Sequence, residues 1–300
     1  MNVSIIIPSY NSAHVLEKCL MHLSQQEKKK TEVIIVDDGS TDHTQKVLDS
    51  WKKNKNLPFI LITLQQKNQG AGVARNTGVK IAKGEILIFL DADMLVTKNW
   101  LSEHCKFHHQ FTQDTQMGLG FMTWSPEFAN NRFRKWLESS GTMLSFKGLK
   151  NYKKTDFWHF YTGNISLKKS FVQKHPFDKG FRCYGWEDIM LGYELIKNHK
   201  GELYCLQDAA SFHHQSMKES DVFPEKMRKI GRSAVYFSSK YPEVPVIPKG
   251  IKLIIFKVLT ASFILKILSV LKKEWWWYAL SKKYFLEGVD EVSKEVQKGN

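Results

Sequence analysis

The first third of the chain alternates short apolar runs with amphipathic stretches, and this alternation limits the possible folds most. Continuous apolar runs predict buried strands, and apolar residues at helical spacing predict helices. The predicted strands span residues 3–7, 33–36, 59–64 and 86–90, and the predicted helices span residues 13–23, 41–51 and 71–83. Strands and helices that alternate in this way form a mostly parallel sheet with right-handed crossovers. The sequence therefore predicts a Rossmann-like α/β fold.

Polar or turn-forming residues follow each of these predicted strands. The loops are residues 8–11, 37–40, 65–72 and 91–93. Ligands of open α/β sheets bind beyond the carboxyl ends of the strands. We therefore expect the residues of these loops to converge on one ligand site.

Asp91 and Asp93 form the strongest local signal, because they stand one residue apart directly after a predicted buried strand. Two carboxylates so placed can share one face and bind a hard divalent cation, which neutralises the charge of a nucleotide diphosphate leaving group. The alternative is a solvated turn. The position at a strand end favours the metal site.

Two further loops suggest nucleotide binding. Asp38 either accepts a hydrogen bond from a base or ribose, or belongs to a turn with an Asx cap on the next helix. Ser40 or Thr41 is the predicted N-cap residue of that helix. The glycines of residues 70–72 open a helix whose backbone N–H groups could face phosphate. Arg75 follows one turn later and could reach a diphosphate or the aspartates.

Four motifs occur in order between residues 5 and 93. They read IIIPSYN at 5–11, VDDGSTD at 36–42, ARNTG at 74–78 and FLDAD at 89–93. Together they resemble the GT-A fold glycosyltransferases of family 2. The resemblance implies a nucleotide-diphosphate sugar donor, with uridine favoured as its base, and Mn²⁺ or Mg²⁺ as cofactor. The residues that it assigns to the nucleotide are Pro8, Tyr10, Asn11, Asp38, Arg75, Asp91 and Ala92.

The resemblance extends to the acidic motif GWEDIML at residues 185–191. It implies that Asp188 is the general base and that Glu187 holds the acceptor. An inverting displacement needs one such carboxylate within hydrogen-bond reach of the attacking hydroxyl. The alternative, an acidic first turn that complements a helix dipole, leaves the preceding glycine and Trp186 unexplained.

Relatives of this kind place a histidine after the acidic helix as a further metal ligand. The resemblance indicates His213 beside Asp91 and Asp93, with His214 as the substitute, and an imidazole in this set suits Mn²⁺ better than Mg²⁺. Polar and aromatic side chains can also bind a sugar acceptor by hydrogen bonding and stacking. The candidates are Trp186, Asn164 and Trp158, with His159 and Tyr161 nearby in sequence.

The C-terminal segment has a different character. Residues 251–271 are mostly apolar but contain Lys252, Lys257 and Lys266, and three tryptophans follow at 275–277. The lysines argue against a helix that spans a membrane. A helix in the membrane interface, anchored by the tryptophans, is one hypothesis. The other is a helix that packs on the catalytic domain or on a second subunit, which would make a dimer.

The chain is therefore expected to have a nucleotide-sugar-binding half (1–111), an acceptor-binding and catalytic half (112–215) and a C-terminal amphipathic helical extension (216–300). A net charge of +14 favours anionic partners without selecting among them. Four widely spaced cysteines predict buried thiols. Together with an N-terminus that does not read as a signal peptide, they predict a cytoplasmic location, including the inner face of the cell membrane.

Inverting transfer of a hexose or N-acetylhexosamine to a glycan or lipid-linked acceptor is the leading hypothesis. A nucleotidyltransferase would need a lysine in a glycine-rich loop after the first strand, and residues 8–11 differ from this. A nucleic-acid-binding module is disfavoured, because the lysines at 28–30 and 52–53 lack interleaved aromatic residues. The complete acidic set argues against an inactive relative.

Overall fold

The computed structural model describes residues 2–27, 30–143, 145–181 and 184–299, the last four of them as backbone. In this part of the chain nine strands form one sheet. They are β1 (Val3–Ser9), β2 (Thr31–Asp37), β3 (Ile60–Gln65), β4 (Ile86–Leu90), β5 (Met94–Val96), β6 (Gln116–Trp124), β7 (Lys154–Thr155), β8 (Asn164–Lys168) and β9 (Glu202–His213).

The helices of the described chain are α1 (Ala13–Ser24), α2 (Thr44–Lys52), α3 (Ala71–Ile81), α4 (Trp100–Gln110), α5 (Arg132–Ser139), α6 (Lys169–Val172), α7 (Glu187–Tyr193), α8 (Glu219–Val222), α9 (Glu225–Lys240), α10 (Gly250–Leu259), α11 (Ser262–Leu271) and α12 (Lys273–Gly299). A short 3₁₀ turn covers Phe157–His159.

The strand order is β3-β2-β1-β4-β8-β6-β9-β5, and β7 pairs with β9. Strands β1 to β4 are parallel, β8 is antiparallel to β4 and to β6, and β9 is parallel to β6. The predicted GT-A architecture, a Rossmann-like sheet flanked by helices, is confirmed. Its first half is parallel, and its second half is mixed because β5, β7 and β8 run in the opposite direction.

The core is centred on β1, β2 and β4, whose apolar residues are buried on both faces of the sheet. Strand β3 forms the edge of the sheet and is partly exposed. Helix α3 lies close to β1, and the absence of a side chain at Gly78 allows this approach. A Cβ at this position would stand only 2.5 Å from Ile6 Cγ2. The four predicted strands therefore occur where the apolar runs placed them.

Three predicted helices differ from the structure. Helix α2 begins at Thr44, without a cap from Ser40 or Thr41, because Asp42 Oδ1 accepts from the Thr44 backbone N–H. The helix expected at the acidic motif ends as a wider π-helical turn, Glu194–Asn198, where the Glu194 side chain accepts from Asn198 and His199. The third difference concerns the C-terminal apolar segment.

That segment is two helices rather than one. Helices α10 and α11 meet at 66°. Ala261 has extended dihedral angles, and the Thr260 hydroxyl donates to the Lys257 carbonyl at the end of α10. Among the described residues, no single helix has the length and apolar composition to cross a bilayer, whereas this bent pair passes that test when taken together.

The C-terminal helices pack against one another and, through an aromatic cluster, against the rest of the protein. A Cβ on Gly231 of α9 would lie 2.1 Å from the Phe285 carbonyl oxygen, and one on Gly288 of α12 would lie 2.1 Å from that of Arg228. Arg228 also pairs with Glu287 at 2.7 Å. An aromatic cluster joins α5 to α12 through Phe133, Trp136 and Trp277. The predicted C-terminal extension is therefore joined to the rest of the protein by this cluster.

The cysteines follow the prediction where the structure describes them. Cys19, Cys105 and Cys205 are buried, and burial raises the pKa of the Cys205 thiol to about 11. Cys183 lies outside the described residues, as do Lys28 and Lys29 of the predicted basic run.

Candidate active site

The loops after β1, β2 and β4 meet at one cavity of about 680 Å³. Its opposite wall comes from the start of α7, from β9 and from α9. The predicted site residues that line it are Pro8, Tyr10, Asn11, Asp38, Arg75, Asp91, Ala92, Asp93, Trp158, Trp186, Glu187, Asp188 and His213. Parallel strands that end at one edge bring seven of the first eight residues together, and Arg75 lines the same cavity from helix α3.

Asn11 and Asp38 hold the loops of the nucleotide side in place. Asn11 Oδ1 accepts from the Thr41 backbone N–H at 2.8 Å. Asp38 Oδ1 accepts from Gln66 Nε2 at 2.8 Å, and Asp38 Oδ2 accepts from the Gly70 N–H at 2.7 Å. Both Asp38 oxygens are thus bonded to the loop that precedes α3. The Gly70 N–H, which the sequence suggested could face phosphate, is bonded to this carboxylate instead.

Arg75 is a buried cation on the floor of the cavity, with 3% of its surface exposed. One of its Nη atoms donates to Asp91 Oδ1 at 2.6 Å. Its Nε and its other Nη are buried and have no hydrogen-bond partner among the described residues. Buried polar groups are nearly always paired. These two donors therefore indicate an anionic ligand in the cavity.

Asp93 and His213 are neighbours because β5 pairs with β9, with Met94 opposite His213. Asp93 Oδ2 lies 3.2 Å from His213 Nε2. Burial would raise the pKa of Asp93, but His213 and Lys226 outweigh it, so this pKa lies below its ordinary value. The ring of His214 instead contacts Lys18 and Ser125. The structure therefore places His213, and not His214, beside Asp93.

These side chains do not form a complete metal site by themselves. Within the described residues, no group of three or more His, Cys, Asp or Glu is positioned to hold an ion. Asp91 is paired with Arg75, and Asp38 is bonded to its own loop. No three of the side chains of Asp38, Asp91, Asp93 and Asp188, all of which the structure describes, are therefore grouped around one point. They share a cavity but have different partners.

Asp93 and His213 nevertheless fit a divalent cation. Asp93 Oδ1 is buried and has no hydrogen-bond partner among the described residues, and the same holds for His213 Nδ1. Hard cations in nucleotide sites are commonly held by one or two protein carboxylates, with phosphate oxygens and water completing the shell. An added imidazole favours Mn²⁺ over Mg²⁺.

The acidic pair begins α7 in an unusual backbone conformation. Gly185 and Trp186 have φ values of 100° and 71°, a region that L-residues rarely adopt. Trp186 Nε1 donates to the Ile230 carbonyl of α9 at 3.0 Å, which helps to hold this turn. Glu187 and Asp188 therefore enter the cavity from a strained, fixed position, which is typical of functional sites.

Asp188 has the properties of a proton acceptor. Burial and the neighbouring Glu187 carboxylate raise its pKa to about 7, although Arg75 partly offsets them. Burial also raises the pKa of Glu187, whose Oε2 atom has no hydrogen-bond partner among the described residues. A carboxyl group with a pKa near neutrality is well suited to take a proton at physiological pH.

Aromatic side chains form the wall beside this pair. Trp158 and Trp186 meet edge to face with ring centroids 6.2 Å apart. Burial and the Asp188 charge raise the pKa of the nearby Tyr161 to about 12, so its hydroxyl stays protonated. His159 also lines the cavity. Such a wall can stack against a sugar ring and donate a hydrogen bond to it.

The acceptor-binding role predicted for Asn164 is wrong. The residue is fully buried in β8 and does not line the cavity. Its Oδ1 accepts from Trp100 Nε1 at 2.8 Å, and its Nδ2 donates to the Ala209 carbonyl at 2.9 Å. Asn164 therefore joins α4 to the middle of the sheet, because its position in the strand directs the side chain inward.

Sequence reasoning missed Lys226 and Tyr184. Lys226 lies at the start of α9 and lines the cavity, with its Nζ 4.5 Å from the centroid of the Tyr184 ring. It also contributes to the low pKa of Asp93. Lys226 lies one turn before Ile230, on the side of α9 that faces the cavity. In the sequence, only the helical spacing between Lys226 and the apolar residues of α9 could have indicated this position.

A GT-A sheet with an acidic cavity at its strand ends defines a class of nucleotide-sugar-binding folds, and comparison with known proteins places the chain in it. Residues 4–175 match the family described as Glycosyl transferase family 2. Because this match covers more than half of the chain, the protein belongs to that family.

Curated relatives share only part of their length with this chain. The uncharacterised glycosyltransferase YfnE of Bacillus subtilis is 31% identical over 240 residues, which are 65% of this chain and 60% of YfnE. The poly(ribitol-phosphate) β-N-acetylglucosaminyltransferase TarS of Staphylococcus aureus is 35% identical over 114 residues, which are 36% of this chain and 20% of TarS.

Solved structures share the fold. The mannosyltransferase PcManGT of Pyrobaculum calidifontis, in complex with GDP-Man and Mn²⁺, has a TM-score of 0.64 and 17% identity, covering 97% of this chain and 86% of that one. Residues 1–349 of S. aureus TarS, in complex with UDP, give a TM-score of 0.56 and 18% identity, covering 100% and 92%.

Proposed function

We propose that this protein is a metal-dependent, inverting glycosyltransferase. It moves a hexose or N-acetylhexosamine from a nucleotide diphosphate, most simply UDP, to a hydroxyl group of a glycan or lipid-linked acceptor. The observation that carries the proposal is one cavity with two kinds of carboxylate. The pKa of Asp93 is lowered, whereas that of Asp188 is raised to about 7. Environments that separate two carboxyl pKa values in this way commonly mark distinct catalytic roles.

The donor would lie along the strand ends. The exposed Tyr10 ring and Pro8 offer a surface for the base, and the unpaired Arg75 donors and Lys226 offer charge to the diphosphate. A divalent cation held by Asp93 and His213 would neutralise the charge that develops on the leaving diphosphate. In support, two structures with this fold contain UDP and GDP-Man with Mn²⁺.

Transfer would proceed by a single displacement. Asp188 takes the proton of the acceptor hydroxyl, whose oxygen forms a bond to the anomeric carbon. The bond from that carbon to the diphosphate oxygen breaks on the opposite side, and the nucleoside diphosphate leaves with the electron pair. Attack from the opposite side inverts the anomeric configuration. Glu187 and the wall formed by Trp158 and Trp186 would orient the acceptor for this attack.

The test measures nucleoside diphosphate release from UDP-Glc, UDP-GlcNAc, UDP-Gal and GDP-Man with Mn²⁺, where water replaces the unknown acceptor. We expect Asp188→Asn to bind donor normally by calorimetry but to lose release by about 10²–10⁴-fold, because general base catalysis is removed. Asp93→Asn should lose the Mn²⁺-dependent part of donor binding.

Asp49→Asn is the matched control for both variants, because Asp49 is an exposed residue of α2 that pairs with Lys52. It should release diphosphate at the rate of the unchanged protein. Full activity of Asp188→Asn would contradict the proposed role of Asp188 as base. Donor binding by the unchanged protein that does not depend on Mn²⁺ would contradict the proposed cation site.

A further inference from the structure

Helices α10 and α11 display an apolar surface that the rest of the described protein leaves uncovered. We call it the α10–α11 surface. Its residues are Ile251, Ile254, Ile255 and Val258 of α10, and Phe263, Ile267, Val270 and Leu271 of α11, with 47–85% of their surface exposed. In each helix these residues follow the spacing of one helical face. Each helix therefore presents a continuous apolar stripe.

The opposite sides of the same helices are packed. Leu265 of α11 is buried, and the Phe256 ring of α10 meets Tyr278 of α12 edge to face at 6.4 Å between centroids. Both helices contact α12. The outward stripes are thus additional apolar faces, and they are not the ones that attach the helices to the protein. Contiguous exposed apolar patches of this kind mark interaction sites.

The charged residues of the segment that carries this surface are all lysines. Between Glu243 and Glu274 the sequence contains no acidic residue. The lysines in this interval are Lys249, Lys252, Lys257, Lys266, Lys272 and Lys273. Lys257 and Lys266 are exposed on the helices themselves. An apolar stripe bordered by lysines is complementary to a layer of acyl chains bordered by phosphates.

The dimensions favour a surface position over a spanning one. A helix of ten residues is about 15 Å long, half of the roughly 30 Å hydrocarbon core of a bilayer. α10 and α11 have ten residues each and meet at 66°. Trp275, half exposed at the start of α12, stands where the chain leaves this surface. Tryptophan is enriched at the boundary between lipid and water.

We propose that the α10–α11 surface binds a bilayer that contains anionic phospholipid. The two helices lie in the interface, the apolar stripes enter the acyl region, and the lysine ammonium groups contact lipid phosphates. This binding is independent of the sugar-transfer chemistry, because none of its residues lines the cavity.

The experiment is vesicle co-sedimentation of the full chain, with vesicles of phosphatidylcholine alone and of phosphatidylcholine with phosphatidylglycerol. We expect strong binding to the mixed vesicles and at least tenfold weaker binding to the neutral ones. Raising the salt concentration should weaken the binding, because it screens the lysine charges. Bound protein should be extracted by alkaline carbonate, as a peripheral protein is.

Two sets of substitutions separate the apolar and the charged contributions. The triple variant Ile254→Ser, Val258→Ser, Val270→Ser should bind mixed vesicles at least tenfold more weakly, with an unchanged melting temperature. The pair Lys257→Gln, Lys266→Gln should reduce the preference for anionic vesicles. Ile60→Ser is the matched control, because Ile60 is 69% exposed on the edge strand β3 and does not belong to the α10–α11 surface.

Three outcomes would overturn the proposal. The first is unchanged vesicle binding by the triple serine variant. The second is a dimer in light scattering that the triple variant dissociates, together with no vesicle binding, which would make this surface a subunit interface. The third is resistance to carbonate extraction, which would indicate that α10 and α11 insert as a re-entrant segment.

Discussion

Strand β1 and helix α10 have similar apolar residues but opposite surroundings. Ile5, Ile6 and Ile7 are at most 1% exposed, whereas Ile254 and Ile255 are more than half exposed. In β1, neighbouring strands and α3 cover the side chains, which serve to fix the polar residues at the strand end. In α10, the apolar side chains are themselves the surface available for binding. An apolar pattern thus predicts an element but not what covers it.

Truncating one isoleucine to alanine in each region tests this comparison most directly. Ile6→Ala should lower the free energy of unfolding by about 2–5 kcal/mol, because it leaves a cavity in a packed core. Ile255→Ala should change it by less than about 0.5 kcal/mol, since the side chain is exposed. Urea unfolding of both variants checks this. Similar losses would mean that α10 is covered in solution by something else.

The two regions should also differ in their response to pH. The base role proposed for Asp188 requires an ionised carboxylate, and the pKa of this group is raised to about 7. Donor turnover should therefore fall about tenfold for each pH unit below 7. Vesicle binding, which depends on lysines and lipid phosphates, should stay nearly constant over the same range. Asp188→Asn should remove the pH dependence from the residual turnover.

The same carboxyl group should affect stability in the absence of ligand. A raised carboxyl pKa favours the folded state while the group is protonated. This contribution is present below the ordinary aspartate pKa and is lost as the pH rises through about 7. Urea unfolding between these limits should show a decline that is smaller in Asp188→Asn. An identical decline in both proteins would assign it to other groups.

Lys226 connects the two regions, because it belongs to helix α9 of the C-terminal part and also lines the cavity. Lys226→Met should raise the donor KM about fivefold and change kcat less, as expected for one partly exposed charge near a diphosphate. Lys229→Met is the control, since Lys229 lies on the same helix and pairs with Glu225. Equal effects of the two variants would indicate a general charge effect.

The parts of the fold that could be predicted depend on local patterns. Residues of β1, β2 and β4 are buried on both faces, so their runs are continuously apolar. The loops after these strands could therefore be assigned to one edge of the sheet. The pairing of Asp93 with His213 depends on β5 meeting β9 across more than a hundred residues of sequence. Only the resemblance to a family, and not the spacing, suggested it.

The errors arose where the partner of a side chain decides its role. Asn164 carries polar atoms that suit a ligand, but Trp100 and Ala209 use them inside the sheet. Lys226 was overlooked because the position of α9 depends on its contact with α12, which no local pattern encodes. The break between α10 and α11 falls within one apolar run, so periodicity continued across it.

The backbone contact between α9 and α12 bears on which acceptors the cavity can bind. Gly231 and Gly288 leave no room for even a methyl group between these helices. The helix that brings Lys226 to the cavity and the helix on which α10 and α11 rest therefore hold one fixed spacing. If the protein rests on a bilayer by the α10–α11 surface, its cavity stands at one height above the lipid. Acceptors would then be selected by how far their hydroxyl groups extend from that plane.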